Sequence, residues 1–364
     1  MLPPSFPALT QSALTQDDMA LLEVVAPPSV LHGLCPESAG AVVSRAQLAA
    51  ALTLVLFARL VREVPEAQRY VEAASARGET ITFDHGAVRT VLASSCGALP
   101  CGEASITRIL RPLGYALNGL YPLERLGMTG RSYLHADAPQ DIPQFFLSAP
   151  RAGLRPARPP WGSTKLGAAR RFLESELHPE RFSVRFQHAV HDVLATSRDP
   201  LGENAKQALD WLERDHAVPW TTACNLLPDL AACFARQHDL PSEEDYETLR
   251  AESAEMAWIS TEGQTFNHAT DRVADVEALA ARLRAEGYSI KDRVEVSQSG
   301  RVRQTALRAA LVRRALGGAA PREVPGSFFE FISRSARPGT SLPAGMDMGF
   351  DTSNATGIFK MTAR

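Results

Sequence analysis

The chain has 364 residues, with 38 Lys and Arg against 41 Asp and Glu and a formal net charge of −3. At 45% apolar and 22% charged residues it has the composition of a globular protein that buries a large core without staples, which excludes a disordered or fibrous chain. So even a balance also speaks against a nucleic-acid binder or a polybasic membrane-surface binder, since both need a surplus of Lys and Arg.

The five cysteines (Cys35, Cys96, Cys101, Cys224 and Cys233) are odd in number and scattered, unlike a secreted disulfide framework. Cys96 and Cys101 read as ordinary thiols, because no second Cys or His pair lies near them at zinc spacing. Met1-Leu2-Pro3-Pro4 lacks the basic start of a signal peptide. The most apolar window, Ala46 to Ala58, is shorter than the about 20 residues that cross a bilayer. A cytoplasmic location is the expectation.

Residues 1–78 read as an N-terminal helical region, with a long helix from Val42 to about Val64 and a shorter one through Tyr70 to Ala76. Residues 79–150 form a first module. It opens on a strand in which Ile81 and Phe83 alternate with Thr80, Thr82 and Asp84, reaching His85. A helix through Ile106, Ile109, Leu110 and Leu113 follows, then a strand at Phe145-Phe146-Leu147. Residues 151–256 read as a helical insertion that opens on a basic, Pro-rich loop. His188 and His191 lie within it without a recognisable third ligand and read as surface histidines. Residues 257–364 form a second module and tail, starting with a strand that ends at Phe266-Asn267-His268. A helix with Val276, Leu279, Ala280 and Leu283 at helical spacing stops at Gly287, and strands follow at Val294–Val296 and Ser327–Ile332.

The first and second modules repeat one order of features. Each has a strand reaching a histidine, then a helix closing on Leu-Arg-x-x-Gly-Tyr (Leu110–Tyr115 and Leu283–Tyr288), then a Phe-Phe strand. The implied fold is α+β: two β-α-β-β-β modules forming one β-sheet cleft, with His85 and His268 at matching positions on its inner strands. Aligning the Phe-Phe words sets Leu147 opposite Glu330.

Glu330 sits in a strand built for burial, where a carboxylate is costly unless a cation compensates it. Alone it reads equally as half of an ion pair with Arg334 or Arg272, and each histidine alone as a hydrogen-bonded core residue. Together, two His and one carboxylate are the donor set of the facial triad that holds Fe(II) and leaves positions open. Arg89, four residues after His85, suits a substrate carboxylate by a bidentate pair, and by itself also fits a surface salt bridge. Gly86 reads as a tight turn or a close approach of backbone to substrate.

The words Asp84-His85-Gly86-Ala87-Val88-Arg89-Thr90-Val91, Phe266-Asn267-His268 and Phe329-Glu330-Phe331-Ile332-Ser333-Arg334 resemble the 2-oxoadipate dioxygenase/decarboxylase family of the glyoxalase-like, vicinal oxygen chelate superfamily. Ile109 to Tyr115, Pro143 to Ser148, Gln304-Thr305 and the tail from Gly349-Phe350-Asp351 to Ile358-Phe359 match it as well. The resemblance implies glyoxalase-like modules, Fe(II) on His85, His268 and Glu330, and Arg89 on a carboxylate of the 2-oxo acid. It implies conversion of 2-oxoadipate and O₂ to 2-hydroxyglutarate and CO₂, with the substrate serving as its own 2-oxo acid. Gln304 and Arg334 are further candidates for the substrate pocket. The competing readings are a glyoxalase-like lyase or isomerase using Zn²⁺, Ni²⁺ or Mn²⁺, and a small-molecule-binding protein of the same fold.

Overall fold

The computed structural model describes residues 1–36, 41–123, 128–150 and 182–350. Two short helices, α1 (Phe6–Thr10) and α2 (Gln16–Leu22), and a 3₁₀ turn at Ser29–Gly33 lead to β1 (Val42–Ser44). The long helix α3 (Arg45–Glu63) therefore starts three residues later than its apolar run suggests. Ser44 decides this. It closes a capping box with Gln47, and β1, which it ends, pairs with Ala217–Pro219 further along the chain. From Ala46 to Val61 nearly every residue of α3 is buried, as expected of a helix apolar on all sides. Helix α4 (Pro65–Ala76) follows.

The first module comprises β2 (Phe83–Arg89), α5 (Ala104–Leu110), β3 (Tyr115–Leu123), β4 (Met128–His135) and β5 (Gln144–Pro150). A helical layer then runs through α6 (Val184–Ala195), α7 (Glu203–Asp215), β6 (Ala217–Pro219), α8 (Trp220–Ala232), α9 (Glu243–Glu252) and α10 (Ala254–Glu262). The basic loop predicted at 151 falls outside the described residues. The second module comprises β7 (Phe266–Arg272), α11 (Val276–Ala285), β8 (Glu295–Val296), β9 (Val302–Ala306), the hairpin β10 (Leu311–Leu316) and β11 (Ala319–Pro325), and β12 (Phe328–Arg334).

The β-α-β-β-β repeat is present, and each module orders its strands alike, with the first strand beside the last. The first strands β2 and β7 pair antiparallel, so the modules join edge to edge in one curled eight-stranded sheet, ordered β3-β4-β5-β2-β7-β12-β9-β8. The cleft is the hollow of this sheet. One face of the sheet carries Phe83, Val88, Phe145, Phe266, Phe329 and Phe331 into the main core. There Phe57 of α3 meets Phe83 at 4.9 Å, and Tyr70 of α4 meets Phe331 at 4.9 Å.

Several local expectations are corrected. Both histidines are the third residue of their strands rather than the last, because β2 and β7 are buried on both faces and lack the alternation that marks strand limits. Residues 257–262, expected to open the second module's first strand, instead belong to helix α10 (Ala254–Glu262). Strand pairing sets Phe146, not Leu147, in the place of Glu330: Phe146 lies opposite Ala87, two residues after His85, as Glu330 lies opposite Thr270, two after His268. Gly86 is mid-strand, not in a turn. A Cβ there would lie 2.4 Å from the Phe266 ring, so its lack of a side chain serves the core. Cys96 and Cys101 are joined as a disulfide with Cα atoms 5.4 Å apart. His188 and His191 are exposed on α6. Among the described residues no helix is long and apolar enough to cross a membrane.

Candidate metal centre and its cleft

Gln144, His85, Thr270, Glu330 and Ala306 are successive cross-strand neighbours on β5, β2, β7, β12 and β9. Neighbours of this kind share a face of the sheet. His268 stands one step along β7, opposite Ala87 and Phe328. The expected donors thus meet. One ligand atom each of His85, His268 and Glu330 lie within 4.8 Å of one another, and all three residues are buried.

The donor atoms are set by the residue before each histidine. His85 Nδ1 lies 2.8 Å from Asp84 Oδ1, and His268 Nδ1 lies 3.1 Å from Asn267 Oδ1. Each oxygen accepts an N–H from Nδ1, which leaves a lone pair on Nε2. Both Nε2 atoms face Glu330 Oε2, at 3.3 and 3.5 Å. Thr270 Oγ1 donates to the same oxygen at 2.9 Å and lies 3.1 Å from His85 Nε2. Glu330 Oε1 is buried and makes no hydrogen bond. Two lone pairs and a half-satisfied buried carboxylate converging on one point constitute a site for a cation, and a divalent one satisfies all three at once.

The charges around the site are polarised. Burial alone would raise Asp84, but Arg334 and then His85 outweigh it and hold its carboxyl well below the usual range. His85 goes up: burial opposes its proton, but Asp84 and Glu330 together favour it. His268 goes down to about 3, chiefly by burial, with Glu330 opposing and His85, Arg89 and Lys291 adding to the fall. Burial would likewise raise Glu330, yet His268, His85 and Lys291 hold it below its ordinary value.

Arg334 is committed elsewhere than to Glu330. Its Nε and Nη2 donate to Asp84 at 2.8–3.2 Å, and its Nη1 donates to the carbonyls of Asp347 and Gly349. Arg272 also lies on Asp84, at 3.5 Å. Neither arginine forms the ion pair with Glu330 that its isolated reading allowed. Arg334 instead fixes Asp84 from 250 residues away and straps the tail to the sheet. Phe350, at the end of that strap, packs edge-on to His85 at 4.8 Å and against Phe146 at 5.0 Å. The tail words beyond it lie outside the described residues.

Arg89 is fully buried, which rules out a surface salt bridge. It stands two alternations along β2 from His85, with its guanidinium 4.9 Å from the Trp258 ring of α10. Burial depresses its pKa to about 10, against a partial counter-effect of Glu255. Gln304 is buried opposite Ile332 of β12, with its amide 3.5 Å from Glu295 Oε2. The sequence reading missed Thr270, Asn267, Lys291 and Glu295. Asn267 was visible in the repeat, since it occupies the place of Asp84 before the second histidine.

Residues 157–341, half of the chain, match the family model of 2-oxoadipate dioxygenase/decarboxylase. The chain belongs to the 2-oxoadipate dioxygenase/decarboxylase family. A glyoxalase superfamily protein from Ralstonia eutropha JMP134 is 45% identical over 96% of this chain and 99% of its own, with a TM-score of 0.81. Two hydroxyglutarate synthase structures in complex with 2-oxoadipate share the fold. The Oryza sativa enzyme is 16% identical, with 86% of this chain and 91% of its own covered and a TM-score of 0.61. The Pseudomonas putida enzyme is 18% identical, with 93% and 74% covered and a TM-score of 0.55. None of the curated proteins matches the chain. The family match takes in His268 and Glu330 but starts beyond His85 and Arg89, which the internal repeat and the sheet join to them.

Proposed function

We propose that the protein is an Fe(II)-dependent dioxygenase that oxidatively decarboxylates and hydroxylates a 2-oxo acid of the 2-oxoadipate kind. The products are a 2-hydroxy acid one carbon shorter and CO₂. For 2-oxoadipate the reaction balances as C₆H₈O₅ + O₂ → C₅H₈O₅ + CO₂, the product being 2-hydroxyglutarate. The observation that carries this reading is the convergence of His85 Nε2 and His268 Nε2 on the buried Glu330 carboxylate, whose second oxygen, Oε1, makes no hydrogen bond. Family membership and the 2-oxoadipate complexes of the two hydroxyglutarate synthases support it.

Fe(II) held by these three residues would supply a Lewis acid for the 2-oxo and carboxylate oxygens and the electrons that activate O₂. The chain's own groups do the rest. Asp84 and Asn267 hold each imidazole with its proton on Nδ1, so both rings present Nε2. Thr270 fixes Glu330 Oε2 and leaves Oε1 free to turn toward a ligand. Arg89, buried and charged, offers a substrate carboxylate a fork of N–H donors. Phe350, Phe146 and Phe328 wall the cleft and exclude water around the reacting carbon.

The test is oxygen uptake by Fe(II)-reconstituted protein against a panel of 2-oxo acids, with CO₂ measured in parallel. Equal uptake and CO₂ release with 2-oxoadipate, both lost in His85→Ala, is the expected result. Uptake that persists in His85→Ala, or a wild-type protein inert to every 2-oxo acid, overturns the reading.

A further inference from the structure

The far flank of the cleft carries a second buried cation. The N–H of Lys291 donates to the Ala306 carbonyl, which places Lys291 beside Ala306 and extends the row that contains His85, Thr270 and Glu330. Two strand spacings, about 10 Å, separate its backbone from that of Glu330. Ala306 stands between them with only a methyl group, so the long lysine stem has room to lie along the sheet toward the ligands. Lys291 is 9% exposed, and its Nζ donates to Glu295 Oε1 at 3.1 Å. Glu295 in turn lies opposite Gln304 on β9. The register that sets Lys291 opposite Ala306, itself opposite Glu330, puts it on the cleft face of the sheet.

Arg89 and Lys291 therefore flank the metal ligands from different directions, the first further along β2 and the second outboard of β12. A cation seated in a nearly dry cleft is costly, and here one carboxylate, Glu295, offsets only part of that cost. An ammonium has three protons to donate, and Glu295 takes one of them. A 2-oxo dicarboxylic acid has a second carboxylate that must also leave water, and Arg89 is taken by the first. Arg334 cannot supply the partner, since all its nitrogens are engaged by Asp84 and the tail.

We propose that Lys291, held by Glu295 beside Gln304, binds the distal carboxylate of the substrate and so selects 2-oxo dicarboxylic over 2-oxo monocarboxylic acids. The inference rests on the 2-oxo acid reading of the site and adds the residue that sets substrate class. Removing Lys291 alone would strand Glu295 in the cleft, so Lys291→Met is paired with the double variant Lys291→Met/Glu295→Gln. Lys291→Arg serves as the conservative control.

Binding of 2-oxoadipate and of 2-oxohexanoate, which ends in a methyl group, is measured anaerobically by calorimetry on metal-loaded protein. Wild type is expected to bind 2-oxoadipate about tenfold or more tightly, the worth of one charge-assisted contact. That ratio should collapse toward one in both Lys291→Met variants and persist in Lys291→Arg. A wild-type ratio near one, or a ratio unchanged in the double variant, overturns the proposal. If discrimination is present and lost as expected while oxygen uptake is absent from wild type, the binding assignment stands and the oxygenase reading falls.

Discussion

Asp84→Asn probes how the site is built. The Asp84 side chain is fully buried and receives Arg334 through three contacts of 2.8–3.2 Å, His85 Nδ1 at 2.8 Å and Arg272 at 3.5 Å. An amide of the same shape keeps one acceptor and turns an NH₂ toward donors. The buried Arg334 guanidinium then lacks its counter-charge, which costs about 3–5 kcal/mol of stability. His85 also loses the charged acceptor that fixes its tautomer, a change worth about 10–100-fold in metal affinity. Urea unfolding of the metal-free protein reads the first effect. Competition of Fe(II) or Co(II) against a chelator, under conditions where both proteins are folded, reads the second. The double variant Asp84→Leu/Arg334→Met separates them, because removing both charges should recover much of the stability but none of the metal affinity. Metal affinity within twofold of wild type in Asp84→Asn would refute the assignment of Asp84 as the orienting partner of His85.

Asn267→Ala removes only a neutral acceptor from His268 and should weaken metal binding less than Asp84→Asn does; the reverse order in the same competition assay counts against the assigned roles. Gly86→Ala drives a methyl group into the Phe266 ring and should cost about 1–3 kcal/mol in urea unfolding, with metal affinity kept if the protein is assayed folded. Burial pushes Asp271 up to about 6, although Tyr70 and the Thr82 N–H donate to it. The folded state then holds a proton that the unfolded chain has released from about pH 4 upward, so the contribution of Asp271 to stability falls between pH 4 and 6 and is level above. Asp271→Asn should abolish that fall, and its stability relative to wild type should be up to about 3 kcal/mol more favourable at pH 7 than at pH 4. An equal gap at both pH values would refute the raised carboxyl. Finally, saturating the site with divalent metal at about 100 times Kd should stabilise the protein by about 2.7 kcal/mol, and His268→Ala should remove that increment from thermal unfolding.

By itself the sequence determined what depends on short-range chemistry. The apolar run of α3, the helix stop at Gly287 and the doubled order of strand, helix and Phe-Phe strand were legible because they are set within a few residues. The repeat also brought His85 and His268 into correspondence, and the cost of burying Glu330 marked it as a ligand candidate. Short apolar runs read less well. Residues 257–262 are apolar enough for a strand, but the packing of α10 made them helix. The Phe-Phe words aligned one residue out of register, because only strand pairing decides which residue faces the cleft.

What tertiary structure alone decided is which charges meet. Arg334 looked like a substrate ligand beside Glu330, yet Asp84, 250 residues earlier, takes its guanidinium. Lys291 lies in an unremarkable stretch of sequence and reaches the cleft only because β9 sets it beside Ala306. Even Cys96 and Cys101, close in sequence, are paired by the path of the loop between them rather than by their spacing. Electrostatic partners act through space over a few ångströms, and no local pattern in the chain records which distant strand will supply them. The composition and charge of the 364 residues described a globular protein, and the sheet gave that balanced charge its function by gathering the donors of one cleft.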